Sequence, residues 1–153
     1  MAYQEKLLKQ VIEKLQLDTG VDSLVTLTRH TEKDRRIARD EPPTKGKKPF
    51  LGIAIPYTGP LNTDTTFIKR SRVEFIAYGE ELSCIRILDR LEYLLDDKDG
   101  QPTNKSYYDF SGDDISTKQV RFKSRVGVTF DGLLDVWTGR IEAEVIWSVL
   151  ACP

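Results

Sequence analysis

His30 is the only histidine in the chain. With a single imidazole, most acid–base and metal-binding schemes lose their usual partner. The residue falls in a strongly charged stretch, where an exposed position is expected. Cys84 and Cys152 are far apart and form neither a C-x-x-C pair nor a zinc spacing. Cys84 lies in a helical pattern and reads as a small core residue; Cys152, beside the C-terminus, reads as a free thiol. Asp97-Lys98-Asp99-Gly100 resembles part of a calcium loop. That loop would need an oxygen ligand at position 95 and a glutamate near 106, where the chain has Leu95 and Ser106. The segment therefore reads as a helix-ending turn. Gly46-Lys47-Lys48 lacks the preceding glycine and the following Ser/Thr of a phosphate loop. Neither G-x-S-x-G nor H-E-x-x-H occurs. Composition alone does not exclude a two-carboxylate hydrolase. The acidic residues, however, fall in turns and strand ladders, where solubility and pairing explain them. No catalytic residue, metal ligand or cofactor site is expected, and the chain does not read as an enzyme.

The remaining chemistry is electrostatic. Arg29, Lys33, Arg35, Arg36, Arg39, Lys45, Lys47 and Lys48 fall close together and could contact phosphates or a protein partner. Glu32, Asp34, Asp40 and Glu41 are interleaved with them, and no aromatic residue offers a stacking platform. This set reads as a partner-interface arm first and a nucleic-acid contact second. Ile37 is the only sizeable apolar side chain between Arg29 and Asp40. Such a segment cannot bury enough apolar surface to offset its ordering entropy. Residues 29–49 are thus expected to form a long charged loop or arm, and loops of that length are usually functional or disordered.

Composition sets the frame for these residues. The chain has 153 residues, is 39% hydrophobic and 31% charged, and carries a net charge of -1. One domain over 1–153 is expected. No global field attracts nucleic acid or an anionic membrane. The charged N-terminus has no apolar run behind it, so no signal peptide is expected, and no run is long enough for a membrane helix. Synthesis in a reducing cytoplasm fits these features.

Residues 3–17 read as a helix with Leu7, Leu8, Val11, Ile12 and Leu15 in one stripe, stopped by Asp18-Thr19-Gly20. Val21–Leu27 is strand-like. Phe50–Tyr57 reads as a buried strand closed by Pro56, and Thr58–Thr66 as a turn region. Phe67–Tyr78 is a strand with Val73, Phe75 and Ala77 on one face, apolar enough on both faces to be central. Glu80–Leu95 is the second helix, its apolar face carrying Leu82, Ile85, Leu88, Leu91 and Leu95, widened by Ile87 and Leu94. A short strand over Lys105–Phe110 follows. These elements imply an α+β fold: a mostly antiparallel or mixed sheet, two amphipathic helices packed on one face, and a long C-terminal hairpin.

That hairpin has the clearest pattern. Val120, Phe122, Ser124, Val126, Val128 and Phe130 alternate with Arg121, Lys123, Arg125 and Thr129. In the second strand Trp137, Ile141, Ala143, Val145 and Trp147 face in, and Thr138, Arg140, Glu142 and Glu144 face out. Pairing Asp131 with Val136 sets Arg125 opposite Glu142 and Lys123 opposite Glu144, with Val126 opposite Ile141 and Phe122 opposite Val145. Opposite charges across strands are worth about 0.2–1 kcal/mol each, so the exposed ladder reads as a register device.

The order helix, strand, long loop, two strands, helix, short strand, closing hairpin resembles the tail terminator (tail completion) proteins of long-tailed bacteriophages. Three segments carry the resemblance. They are the opening helix with Val21–Leu27, Arg72-Val73-Glu74-Phe75-Ile76-Ala77-Tyr78 running into the Glu80–Leu95 helix, and the Val120–Val149 hairpin. The likeness spans nearly the whole chain in layout and has no letter-by-letter signature; the Arg29–Pro49 insertion departs from it. The resemblance implies a structural virion protein, made in the host cytoplasm, that forms a ring, usually hexameric, on the last ring of the tail tube. Its partners would be other copies of itself, the tail tube protein and the head–neck connector. DNA would pass through the lumen without sequence-specific binding, and no membrane is involved. Exposed sheet edges would pair with neighbours, and the 29–49 arm would order on the tube or an adjacent subunit, a role that deleting residues 32–47 would test. Three readings stay open beside it: another head–tail joining or head-closure protein, a small enzyme using carboxylates around Asp96–Asp114, and a nucleic-acid-binding module using the basic arm.

Overall fold

The computed structural model of the chain describes residues 2–17, 37–40, 49–62, 65–95, 109–112 and 114–149. Helix α1 spans Ala2–Leu17, and helix α2 spans Glu81–Leu95. The strands are β1 (Ile37–Arg39), β2 (Phe50–Asn62), β3 (Thr65–Gly79), β4 (Ile115–Asp131) and β5 (Val136–Val149). They form one mixed sheet in the order β1-β2-β3-β5-β4, with β1 parallel to β2 and every other pair antiparallel. The fold is α+β, as the patterning implies, and β3 is central. Among the described residues, no helix is long and apolar enough to cross a membrane.

Both helices pack on one face of the sheet. Leu7, Val11 and Leu15 of α1 meet Ile37, Leu51 and Ile53, while Cys84, Ile87, Leu88, Leu91 and Leu95 of α2 cover Val73, Phe75, Ile141 and Ala143, all in one buried cluster. The stripe of α2 is rotated from the expected one. Leu82 is 55% exposed and Cys84 is fully buried in its place. Helix α2 lies close to the sheet because β5 offers Gly139, where a Cβ would come within 2.6 Å of Leu88 Cδ1. The turn from β3 into α2 uses Gly79 at φ +153°, a conformation side-chain-bearing residues avoid.

Several boundaries differ from the sequence reading. Strand β2 continues through Gly59-Pro60 to Asn62, where a turn region was expected. Strand β1 covers only Leu51–Ile53 of β2, and among the described residues no strand pairs with Pro56 or Pro60 on that side, where a proline has no ladder donor to offer. A bulge between Ala54 and Tyr57 accommodates the bend. Within the expected arm, Ile37 is fully buried and Ile37–Arg39 pairs with β2. One large apolar side chain was enough to anchor three residues of an otherwise charged segment. Of the strand expected over Lys105–Phe110, only Asp109 and Phe110 are described, and they form a clasp instead. Asp109 Oδ1 accepts from the Thr117 hydroxyl at 2.6 Å and the Ser111 amide at 2.9 Å. The strand expected at Val21–Leu27 and the turns after α1 and α2 lie outside the described residues.

The hairpin shows the largest correction. Asp131 does pair with Val136, but three bulges in β4 follow, at Val126–Thr129, Phe122–Ser124 and Thr117–Gln119. They absorb the difference between the 17 residues of β4 and the 14 of β5. Ser124 therefore faces Glu142, Arg121 faces Glu144, Phe122 faces Ala143 and Arg125 faces Ile141. The expected Arg125–Glu142, Lys123–Glu144, Val126–Ile141 and Phe122–Val145 pairs do not form. Each extra residue inverts the alternation beyond it. Arg125 is thereby brought to the helix side, and Ser124 and Val126 become exposed.

The described edges of the sheet carry features that disfavour the expected pairing with neighbours. Among the described residues, edge strand β4 is interrupted three times and carries Lys118, Arg121, Lys123 and Arg125, and the other edge is a three-residue β1 and a proline-bearing stretch of β2. Bulges, basic side chains, prolines and short edge strands are the devices that block edge-to-edge pairing.

Candidate functional site

The face of the sheet opposite the two described helices holds the most organised set of charges among the described residues. Along β3, Arg70, Arg72 and Glu74 alternate with Ser71, Val73 and Phe75, whose side chains are buried on the helix side. Arg140, Glu142 and Glu144 occupy the same outer face of β5. In register, Glu74 lies directly opposite Glu142. Like charges directly opposite destabilise a sheet, and here diagonal arginines relieve them. Arg72 Nε lies 2.9 Å from Glu142 Oε1 and Arg140 Nη1 lies 3.9 Å from Glu74 Oε1, while Arg70 Nε lies 3.9 Å from Glu144 Oε2. A concavity of about 350 Å³ opens here, lined by Tyr57, Arg70, Arg72, Lys123, Glu142 and Glu144.

At one end of this face lies a small apolar cluster of Phe50, Ile76, Tyr78 and Val136, closed by Leu134 from the hairpin turn. Tyr78 donates its hydroxyl to Asp40 Oδ1 at 2.8 Å. Burial raises the Tyr78 pKa, and the hydrogen bond to Asp40 and its negative charge raise it further. The residue is a neutral donor that ties β1 to the centre of the sheet.

On the helix side, Arg125 Nη1 reaches Asp89 Oδ1 at 2.7 Å and Glu92 Oε2 at 3.0 Å. Burial opposes its charge, but the hydrogen bonds and charges of Asp89 and Glu92 outweigh burial and hold the guanidinium more firmly protonated. This clamp fastens β4 to α2. Cys84 donates to the Trp137 carbonyl at 3.3 Å, and burial pushes its thiol up to about 11. A buried thiol held neutral is a poor nucleophile.

Of the basic residues singled out by sequence, only Arg39 is described. It is exposed at the end of β1 and lines a hollow of about 250 Å³ with Gln4, Leu8, Asp40, Ala54 and Pro56. Arg29, Lys33, Arg35, Arg36, Lys45, Lys47 and Lys48 lie outside the described residues, as does His30. Among the described residues, no group of three His, Cys, Asp or Glu side chains is placed to hold a metal ion. Sequence reasoning missed the Arg70–Glu144 and Arg72–Glu142 pairs because it assigned the β5 carboxylates to β4. The alternation of Arg70, Arg72 and Glu74 was visible, but the pairing of β3 with β5 is a long-range choice that it does not reveal.

No protein-family model matches the chain, and no curated protein matches it.

Proposed function

We propose that the chain is a structural virion protein, a phage tail terminator that forms a ring on the tail tube, stops its growth and presents a surface to the head–neck connector. The observation that carries this reading is the order of elements. An amphipathic helix opens the chain, a central strand runs directly into a second helix on the same side of the sheet, and a long hairpin closes it. The division of the described sheet into a helix-covered face and a charged face opposite the described helices supports it, because a ring subunit needs surfaces left over for its neighbours and its lumen. Helices, bulges and ion pairs serve packing and contact in this reading, and no residue is assigned a catalytic role. The described sheet edges are poorly suited to strand addition, so this reading assigns the head-to-tail contacts of a closing ring to faces and loops.

Negative-stain imaging of the purified protein, alone and mixed with its candidate tail-tube protein, tests the proposal. Rings, or caps on tubes of fixed length, are expected. Uncapped tubes growing without limit beside unassembled protein would reject tube termination.

A further inference from the structure

We infer that the outer face of α2 is a two-fold contact surface for a second copy of this chain, the two helices lying antiparallel. Leu82 is 55% exposed and Tyr93 is 60% exposed. Arg86 and Asp89, also exposed, lie between them. At about 100° per residue, Leu82, Arg86, Asp89 and Tyr93 fall within roughly 60° of one another, on the side of α2 opposite the buried Cys84, Leu88, Leu91 and Leu95. Their spacing is that of a helix-pairing seam, carried on the solvent side of a helix whose other side already fills the core.

The seam complements itself in one direction only. Parallel helices would set Arg86 against Arg86 and Asp89 against Asp89, and like charges in contact are unfavourable. An antiparallel pair, with its two-fold axis level with the midpoint of Ile87 and Leu88, sets Leu82 against Tyr93 of the second copy and Arg86 against its Asp89. The symmetry makes each of these contacts twice. Arg86 makes no ion pair among the described residues. Asp89 accepts from Arg125 through Oδ1, yet its side chain stays 63% exposed, so it has room for a second cation. Arg90 lies over the Tyr93 ring, 5.2 Å from its centre, and helps fix the aromatic group on the helix surface. The outer face is balanced overall, with Arg86, Arg90 and Arg125 offsetting Glu81, Asp89 and Glu92, so two copies meet without net repulsion. A foreign partner would not require the face to read the same from both ends.

The contact is a weak one. Helix α2 has 15 residues and is about 22 Å long. One helix pair of that length buries less than the roughly 800 Å² per partner of a standard interface, and exposed ion pairs add little. A Kd on the order of 100 µM follows, with the arginine–aspartate pairs setting the direction of the helices more than the strength of the dimer. The contact is isologous, whereas a ring closes through heterologous ones. The inference therefore goes beyond the ring reading and does not rest on it.

The test is sedimentation equilibrium of the full chain from about 10 µM to about 1 mM. Mass should double as concentration rises, whether the associating unit is the subunit or its ring. Arg86→Glu should weaken this association about tenfold, because both charge contacts turn repulsive. Asp89→Lys should do the same, with Glu92 still holding Arg125. An equal mixture of these two variants should recover the association, since both contacts of the mixed pair again join opposite charges. A merely structural disturbance would not be rescued in this way. Leu82→Gln should weaken association about tenfold with every charge left in place. Lys9→Gln, on an exposed position of α1, should match the unaltered chain. Thermal melts matching the unaltered chain establish that each variant is folded. No doubling up to about 1 mM, a doubling that neither Arg86→Glu nor Leu82→Gln weakens, or a mixture that associates no better than either variant alone would each overturn the assignment. If tube capping fails while the mixed variants pair, the ring reading falls and this inference stands; capping by a chain that never doubles does the reverse.

Discussion

At the residue scale, Ser71 and Thr117, buried polar groups among the described residues, are each held by specific partners. Trp147 is fully buried, and its indole Nε1 donates to Ser71 Oγ at 2.9 Å. Ser71 Oγ also lies 2.7 Å from Thr58 Oγ1, so one hydroxyl joins β2, β3 and β5. Ser71→Ala should cost about 1–3 kcal/mol, because it strands a buried donor. Urea unfolding would measure it, and a loss under about 0.5 kcal/mol would mean that the indole finds another acceptor. Cys84 gives a pH prediction. The unfolded chain releases the thiol proton near its ordinary value of 9.0, whereas burial keeps it on the folded protein up to about 11. The folded state then binds more protons between these values, so stability falls as pH rises. The stabilisation is fully present below pH 9 and decays above it, by about 2–3 kcal/mol if the whole interval is crossed. Tyr78 adds a loss in the same direction once pH passes 10, its ordinary value. Comparing the unaltered chain with Cys84→Ala between pH 9 and 10 isolates the thiol, and parallel curves would refute the account.

At the element scale, legibility tracks regularity. Strand β5 pairs without interruption against β3, and its inward residues Ile141, Ala143, Val145 and Trp147 are all fully buried, as their alternation implies. The helices were legible for the same reason, apart from the rotation that exposes Leu82. Strand β4 was not, because alternation fixes a side chain's face only while the backbone adds one residue per partner residue. Gly127, inside the first bulge, was the available signal, since an isolated glycine in a strand often marks one. Strand β1 was illegible on physical grounds: its three residues are held by pairing with Leu51–Ile53, and composition describes only local preference. The charged outer face was half legible, with its residues visible and their partners misassigned. The bulges support a deletion test. Lys123 stands between Phe122 and Ser124, whose partners Ala143 and Glu142 are consecutive. Removing Lys123 should therefore leave a regular ladder, keep Arg125 on the helix side against Asp89 and Glu92, and preserve cooperative unfolding. Removing Val145 from β5 should invert one arm of the strand and abolish folding. Circular dichroism melts of the two deletions would decide, and equal damage from both would refute the bulge assignment.

At the scale of the whole molecule, the described sheet edges bear on how copies of the chain would meet in the proposed ring. A ring built by continuing one sheet into the next needs two long regular edges, whereas β4 is broken by three bulges and β1 has three residues. The described edges therefore favour a ring whose contacts lie elsewhere, and the charged segment expected as an arm is a candidate for them. The fold changes how that segment is tested. Deleting residues 32–47 would also remove β1 and the fully buried Ile37, so a failed assembly would report a damaged core. Replacing Lys45, Lys47 and Lys48 together by glutamine leaves β1 intact and removes three positive charges from the segment. If those charges hold the ring to the tube, the triple variant should keep its melting temperature within about 2–4 °C, as expected for surface changes that cost under about 1 kcal/mol. It should also let tubes run past their normal length, with the defect in the unaltered protein reproduced by raised salt, which screens exposed charges. Tubes of normal length in both conditions would remove the arm from the contact and leave the two faces of the subunit to carry it.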